Sequence, residues 1–277
     1  MTYRIGVLAL LLLVVGALVV PFFAPASLTD IGDVLSTRLL PPLSRDPGGH
    51  WHLFGTDAFG RDLGIRVWIG ARISLFVGIV GTLLSGAVGI ALGAVAGWLG
   101  GVVDRVITAL SDALLAIPRL VLLLVIAALW GPGLMTVILV LGSTGWMSIM
   151  RLVRAEILLV RRLPYIESAQ ALGVPAWRTL WRHALPNAVG SATVGMTLGV
   201  GNAILLESGL SFLGLGVQPP AASWGNMIAG GREWLLVAPW IALVPGAALL
   251  LTVLASTFVG DGLSARALNT QRHDTTR

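Results

Sequence analysis

The residues in this chain that could do chemistry are few and scattered. His50 and His52 stand close together, but no further ligand cluster surrounds them, so they read as loop residues and not as a metal site. Cysteine is absent, which removes thiolate chemistry, disulfides and Cys-based metal sites. None of the four histidines is clustered with carboxylates in a way that would give a nucleophile–base pair, which argues against a membrane-embedded enzyme. No G-x-x-x-x-G-K-[ST] stretch exists to cradle a phosphate. No catalytic residue and no metal ligand is therefore assigned. What stands out is charge where charge is costly: Asp112, Arg119 and Glu207 all lie in or beside long apolar runs. Such residues usually face a cavity or a partner.

Those runs are the elements that must position the charges. The chain is 56% hydrophobic and 11% charged, against about 25% charged for soluble domains. Its mean hydropathy of +0.89 marks a polytopic membrane protein. The apolar runs are 5–24, 73–99, 106–130, 134–150, 187–206 and 235–260, giving an all-α protein with six transmembrane helices. The first run has a rival reading as a cleaved signal peptide ending at Ala24-Pro25-Ala26, but it is longer than a usual signal core. Glycines at steps of three to five residues from Gly78 to Gly97 give the second run a surface for close helix packing. In the third run Asp112 and Arg119, seven residues apart, are expected to share one helix face with Pro118 kinking the helix between them. Two readings stand: contact with a translocation pathway, or Asp112 pairing near the cytoplasmic interface while Arg119 meets helix carbonyls or a partner subunit. Glu207 either lines the pathway's exit or serves as a cap or ion-pair partner, Arg232 being the candidate. The sixth run is expected to bend at Pro239 and Pro245. Arg151, Arg154, Arg161, Arg162, Arg178 and Arg182 put the loop after the fourth run in the cytoplasm. Counting crossings back places the N-terminus there as well, with 25–72 outside, and the end of the sixth span returns the C-terminus to the cytoplasm. All basic residues are Arg, and the pI near 11 reflects cytoplasmic loops, not a nucleic-acid partner.

The stretch Pro164 to Pro186, PYIESAQALGVPAWRTLWRHALP, reads as two short helices. Pro164 suits a first helical position, Glu167 lies in the first turn, and Gly173 can close the helix in the left-handed conformation. A second helix starts near Pro175 and is expected to end at Pro186.

This stretch resembles the cytoplasmic E-A-A loop of permease subunits of bacterial ABC importers, with Glu167, Ser168 and Ala169 at the E-A-A positions and Gly173, His183, Leu185 and Pro186 at the family spacing. Two further windows resemble the C-type permease of the dipeptide, oligopeptide and nickel importers. One is G-T-D-x-x-G-R-D, matched by Gly55, Thr56, Asp57, Gly60, Arg61 and Asp62, followed by G-A-R-x-S-L at Gly70 to Leu75. The other runs nearly unbroken from Glu207 to Gly225 and contains Gln218 and Trp224. The resemblance implies a type I importer permease fold, with 1–72 as an N-terminal span and extracytoplasmic segment, 73–261 as the core with five spans and coupling loop 164–186, and 262–277 as a cytoplasmic tail. It implies that Glu167, Ala169, Gly173, His183, Leu185 and Pro186 couple to an ATPase. Asp57, Arg61, Asp62, Gln218 and Trp224 are then candidates for facing a binding protein. Its implied partners are a homologous permease, two ATPase subunits, an extracytoplasmic solute-binding protein and membrane lipid. ATP and Mg would sit on the ATPases, with no cofactor on this chain, in a bacterial inner membrane. The cargo would be a di- or oligopeptide, with nickel, a metal chelate or glutathione as alternatives within the family. A stand-alone secondary transporter is the rival outside it. The tail departs from the family after Asp261-Gly262-Leu263, and 269–277 reads as a disordered end.

Overall fold

The computed structural model describes residues 2–23 and 34–275, so the Ala24-Pro25-Ala26 site lies outside the described residues. The architecture is helical throughout, with one two-stranded hairpin. Helix α1 (Thr2–Phe23) is followed by the short α2 (Val34–Thr37), then β1 (Ser44–Arg45) and β2 (Trp51–His52), paired antiparallel with Ser44 opposite His52. Helix α3 (Leu63–Leu99) is next. Asp62 caps it by accepting from the Ile65 N–H at 2.9 Å. The amphipathic segment 63–69 forms the first two turns of this helix. The cap at Asp62 and the absence of any breaker let it run on, so the expected boundary at 72/73 falls inside α3.

Helix α3 packs along α6 (Leu134–Val160) in the most extensive helix pair of the molecule. The glycine steps explain why. A Cβ at Gly93 would lie 2.6 Å from the Met150 carbonyl oxygen, and one at Gly97 would lie 2.9 Å from the Ile157 Cβ. Only glycine lets the backbones approach this closely. Helix α6 carries on well past Met150 because Arg151 and Arg154 find carboxylates and need not leave the helix.

Between these two helices the third apolar run is broken. Helix α4 (Gly101–Leu115) and α5 (Arg119–Trp130) meet at 88°. Pro118 lacks an N–H and disfavours helical backbone at the residue before it, so the chain turns there. Asp112 and Arg119 therefore lie on separate helices and do not share a face. Five helices are long and apolar enough to cross a membrane among the described residues, and the count reaches six with α4–α5 as one bent crossing.

The stretch after α6 forms α7 (Pro164–Ala171) and α8 (Ala176–Thr179), then a π turn over Leu180–Ala184 that leads into α9 (Leu185–Phe212). Pro186 does not end the second helix. A proline in the first turn of α9 needs no N–H partner, and the wide π turn before it gives its ring room. Beyond the far end of α9, α10 (Trp224–Gly231) opens with a Ser223/Asn226 capping box. A 3₁₀ turn (Arg232–Trp234) leads to α11 (Trp240–Thr275). Pro245 lies within α11, whereas Pro239 precedes it, so only one of the two prolines expected to bend the sixth run is inside the helix. The end expected to be disordered continues this helix to Thr275, in keeping with a stretch that has no Gly or Pro after Gly262.

Of the apolar clusters that fill the bundle, two link the helices around the site. Val77, Leu141 and Ala203 join α3, α6 and α9 in its upper part. Trp98, Ile157, Ile166 and Ala188 join the lower ends of those helices to α7.

Candidate functional site

Three regions bring the singled-out residues together. At the lower end of the bundle, α7 and α8 form an elbow. Ile166 is completely buried in the lower cluster and pins α7 to the bundle, while Glu167 on the next residue is exposed. Ala169 and His183 are half-buried, Leu185 packs against the cluster, and Pro186 is exposed. His183 stacks edge-on with Tyr165 at 6.2 Å, and its carbonyl accepts from the Asn187 side chain at 2.7 Å. Gly173 joins the two helices at φ +77°, and a Cβ there would meet nothing within 4 Å. The elbow's outer surface is apolar and basic: Leu172 is 84% exposed, Trp177 63% and Trp181 65%, with Arg178 and Arg182 between them. A bonded, well-anchored helix pair that leaves two tryptophans in solvent is the profile of a docking surface.

Above it, α4 is tied to α6 by two ion pairs. Arg154 donates to both oxygens of Asp104, through Nη2 to Oδ2 at 2.6 Å, and Arg151 pairs with Asp112. Asp112 thus has its ion-pair partner on α6. Arg119, at the start of α5, makes no ion pair or hydrogen bond with any described residue, and its Nε is buried. It opens into a cavity of about 310 Å³ between α3, α6 and α9. Glu207 is wholly buried in a cage of hydroxyls: Ser211 donates to Oε1 at 2.7 Å, and Ser74 and Ser208 donate to Oε2 at 3.2 and 3.3 Å. It does not pair with Arg232, which lies over the Phe212 ring. Ser74 also accepts from the Trp224 N–H, so the cage ties α3, α9 and α10 together.

At the end of the bundle away from the elbow, the G-T-D-x-x-G-R-D segment is a self-contained turn in which Asp57 and Asp62 are buried, so neither presents its carboxylate at the surface as expected of a binding-protein contact. Asp57 accepts from the Phe59 and Arg61 amides at 2.8 and 3.0 Å, and pairs with Arg61 at 2.8 Å and Arg66 at 3.2 Å. Asp62 caps α3 and lies 2.8 Å from Nδ1 of the buried His52. His50 pairs with Asp46, whose carboxyl burial alone would raise; the hydrogen bonds and charges of His50 and His52 hold it below the usual carboxylate range. Both histidines thus fix the hairpin, and no group of three or more metal-capable side chains occurs among the described residues. Gln218 is exposed but turns its amide back onto the Gly214 and Gly216 carbonyls. Trp224 does not face outward. It is fully buried and donates from its indole to the Val67 carbonyl at 3.0 Å.

The sequence gives no sign of the contacts that Ser74, Ser211, Asp104 and Arg154 make here. The serines carry no charge to draw notice. The Asp104–Arg154 pair spans 50 residues, and only the bend at Pro118 sets α4 beside α6.

Residues 89–269 match the model of the family described as binding-protein-dependent transport system inner membrane component. The oligopeptide transport system permease protein of Bacillus subtilis (strain 168) is 37% identical over 262 residues, 94% of this chain and 82% of that one. The dipeptide transport system permease protein of the same organism is 40% identical over 259 residues, 93% and 78% of the two chains. A putative peptide permease protein of Brucella suis biovar 1 (strain 1330) is 39% identical over 260 residues, 93% and 83%. Among solved structures, inward-facing conformations of the MetNI methionine ABC transporter include a chain with the same fold. Its TM-score is 0.57 at 18% identity, covering 73% of this chain and 95% of that one.

Proposed function

This chain belongs to the family of binding-protein-dependent transport system inner membrane components, and from that we propose that it is the membrane-spanning permease of a peptide ABC importer. Curated relatives named for oligopeptide and dipeptide transport, matched over most of both chains, support the peptide cargo. The elbow of α7 and α8 is the surface that meets an ATPase. The observation that carries this is the combination of Ile166, locked in the core, with Leu172, Trp177 and Trp181, exposed beside it. A partner that grips the exposed side moves the buried side too.

The mechanism follows from that connection. ATP binding draws two ATPase subunits together, and each pulls on the elbow of its permease. Through Ile166 and the π turn the pull reaches the lower ends of α3, α6 and α9. This chain and a homologous permease then exchange an inward-facing arrangement for an outward-facing one. ATP and Mg stay on the partner chains. A solute-binding protein delivers the peptide at the outer surface, where the Asp57 turn and the Gln218 loop are presented. Both termini lie in the cytoplasm, in keeping with the arginines of the elbow.

Purification of the tagged chain from its native membrane in mild detergent tests the assembly. Recovery with a second permease and ATPase subunits, and hydrolysis stimulated by a peptide-loaded binding protein, is expected. Recovery as an isolated oligomer without ATPase activity would refute the reading.

A further inference from the structure

The cavity beside Arg119 has a composition that its neighbours do not explain. Arg119 enters it from the first turn of α5, with Thr82 and Ser85 on α3, Ser148 on α6 and Asn202 on α9 around it. Gly145 makes room for this entry. A Cβ there would lie 2.7 Å from that of Ser85 and 3.1 Å from the Arg119 guanidinium. Counting helix rise, Gly145 lies about 16 Å from the outer end of α6 and Arg119 about 16 Å from the far end of α5, so the cavity is near mid-membrane.

A guanidinium at that depth needs a counter-charge. The carboxylates on the surrounding helices do not supply it. Helices α3 and α5 have none. On α4, Asp104 and Asp112 are held by Arg154 and Arg151. On α6, Glu156 accepts from Ser191 at 2.6 Å, and on α9 Glu207 is caged by serines. The guanidinium therefore faces a polar cavity lined by hydroxyls and an amide, with its Nε hydrogen unused. A forked donor beside neutral hydrogen-bonding groups, with the positive end of α5 behind it, suits a planar carboxylate.

We propose that this cavity is a carboxylate subsite on the permeation route, in which Arg119 pairs transiently with the C-terminal carboxylate of a passing peptide. The inference rests on the peptide-importer reading and adds to it a selection step made by the permease itself. Hydroxyls and one amide complete the site without a second charge, which keeps the hold weak enough for release.

The test uses the full complex in proteoliposomes, with trialanine and trialanine amide as probes, each presented on the same binding protein. Discrimination by the binding protein is common to all variants and cancels between them. The readout is the ratio of acid to amide uptake. Arg119→Gln should lower that ratio about tenfold, and Arg119→Lys, which keeps the charge but not the fork, should lower it less. An unchanged ratio in both variants, whatever happens to the individual rates, would overturn the subsite and assign Arg119 to a structural or inter-subunit role. Thermal melting of each variant identifies a folding defect, and if Arg119→Gln fails to fold, the Arg119→Lys ratio decides. A wild-type complex with no ATP-driven uptake of either probe would overturn the peptide reading itself, an outcome distinct from an unchanged ratio.

Discussion

Gly173 offers the sharpest way to separate two accounts of the elbow. From its place in the loop, a bulky side chain is expected to disrupt coupling by filling space. The structure assigns the effect to the backbone. Gly173 sits at φ +77°, and a Cβ would meet nothing within 4 Å. Any residue with a Cβ in this left-handed conformation loses about 1–2 kcal/mol. Asn tolerates it better than other non-glycine residues. A penalty of that size lowers the population of the correctly closed elbow by a factor of about 5–30 without touching the core. Gly173→Ala and Gly173→Leu should therefore uncouple hydrolysis from uptake to similar extents, and Gly173→Asn should do so least. The assay is the ratio of peptides imported to ATP hydrolysed in proteoliposomes, with hydrogen exchange over 164–179 reporting the elbow directly. Damage that grows with side-chain volume from Ala to Leu, with Asn no better than Ala, would refute the backbone account.

Gly93→Leu should split the α3–α6 pair, since even a Cβ would lie 2.6 Å from the Met150 carbonyl oxygen; overpacking of this kind costs about 1–3 kcal/mol and would appear as a lowered melting temperature in detergent. Glu207→Ala strips the acceptors from Ser74 and Ser211 and should destabilise by about 1–3 kcal/mol, while Glu207→Gln keeps one oxygen acceptor and should lose less; thermal melting of the two variants checks the order. Removing Asp104 leaves Arg154 half-buried without its partner. A double-mutant cycle on Asp104→Ala and Arg154→Ala should show a coupling energy above that of the more exposed Asp112–Arg151 pair.

How far the sequence carries depends on whether a feature is local. The spans and the elbow with its turn at Gly173 are local, set by hydropathy, prolines and one glycine, and they are readable in order along the chain. The course of α3 was harder. Leu63 to Ile69 alternate like a surface segment, and only the absence of a breaker before Ile73 tells that the helix begins at Leu63. Pro118 was visible, but a proline in an apolar run can kink a helix or end it. An 88° turn is decided by what α4 finds on arrival, namely Arg151 and Arg154 on α6. Trp224 shows the same gap at the other end of the bundle. In sequence it is an aromatic residue in a loop rich in Gly and Pro, whereas its burial depends on Val67 and Ser74, some 150 residues away.

The measurement that bears most directly on the central claim is site-directed cross-linking in native membranes. The chain has no cysteine of its own, so each introduced thiol is unique. Leu172→Cys or Trp177→Cys, both on the exposed elbow, should cross-link to an ATPase subunit, with a yield that changes when ATP is added. Phe59→Cys, exposed on the outer turn, should not reach an ATPase but should be labelled by a membrane-impermeant thiol reagent added from outside. An ATPase cross-link from Phe59, or none from either elbow position in an actively transporting complex, would contradict the elbow's assignment as the coupling surface.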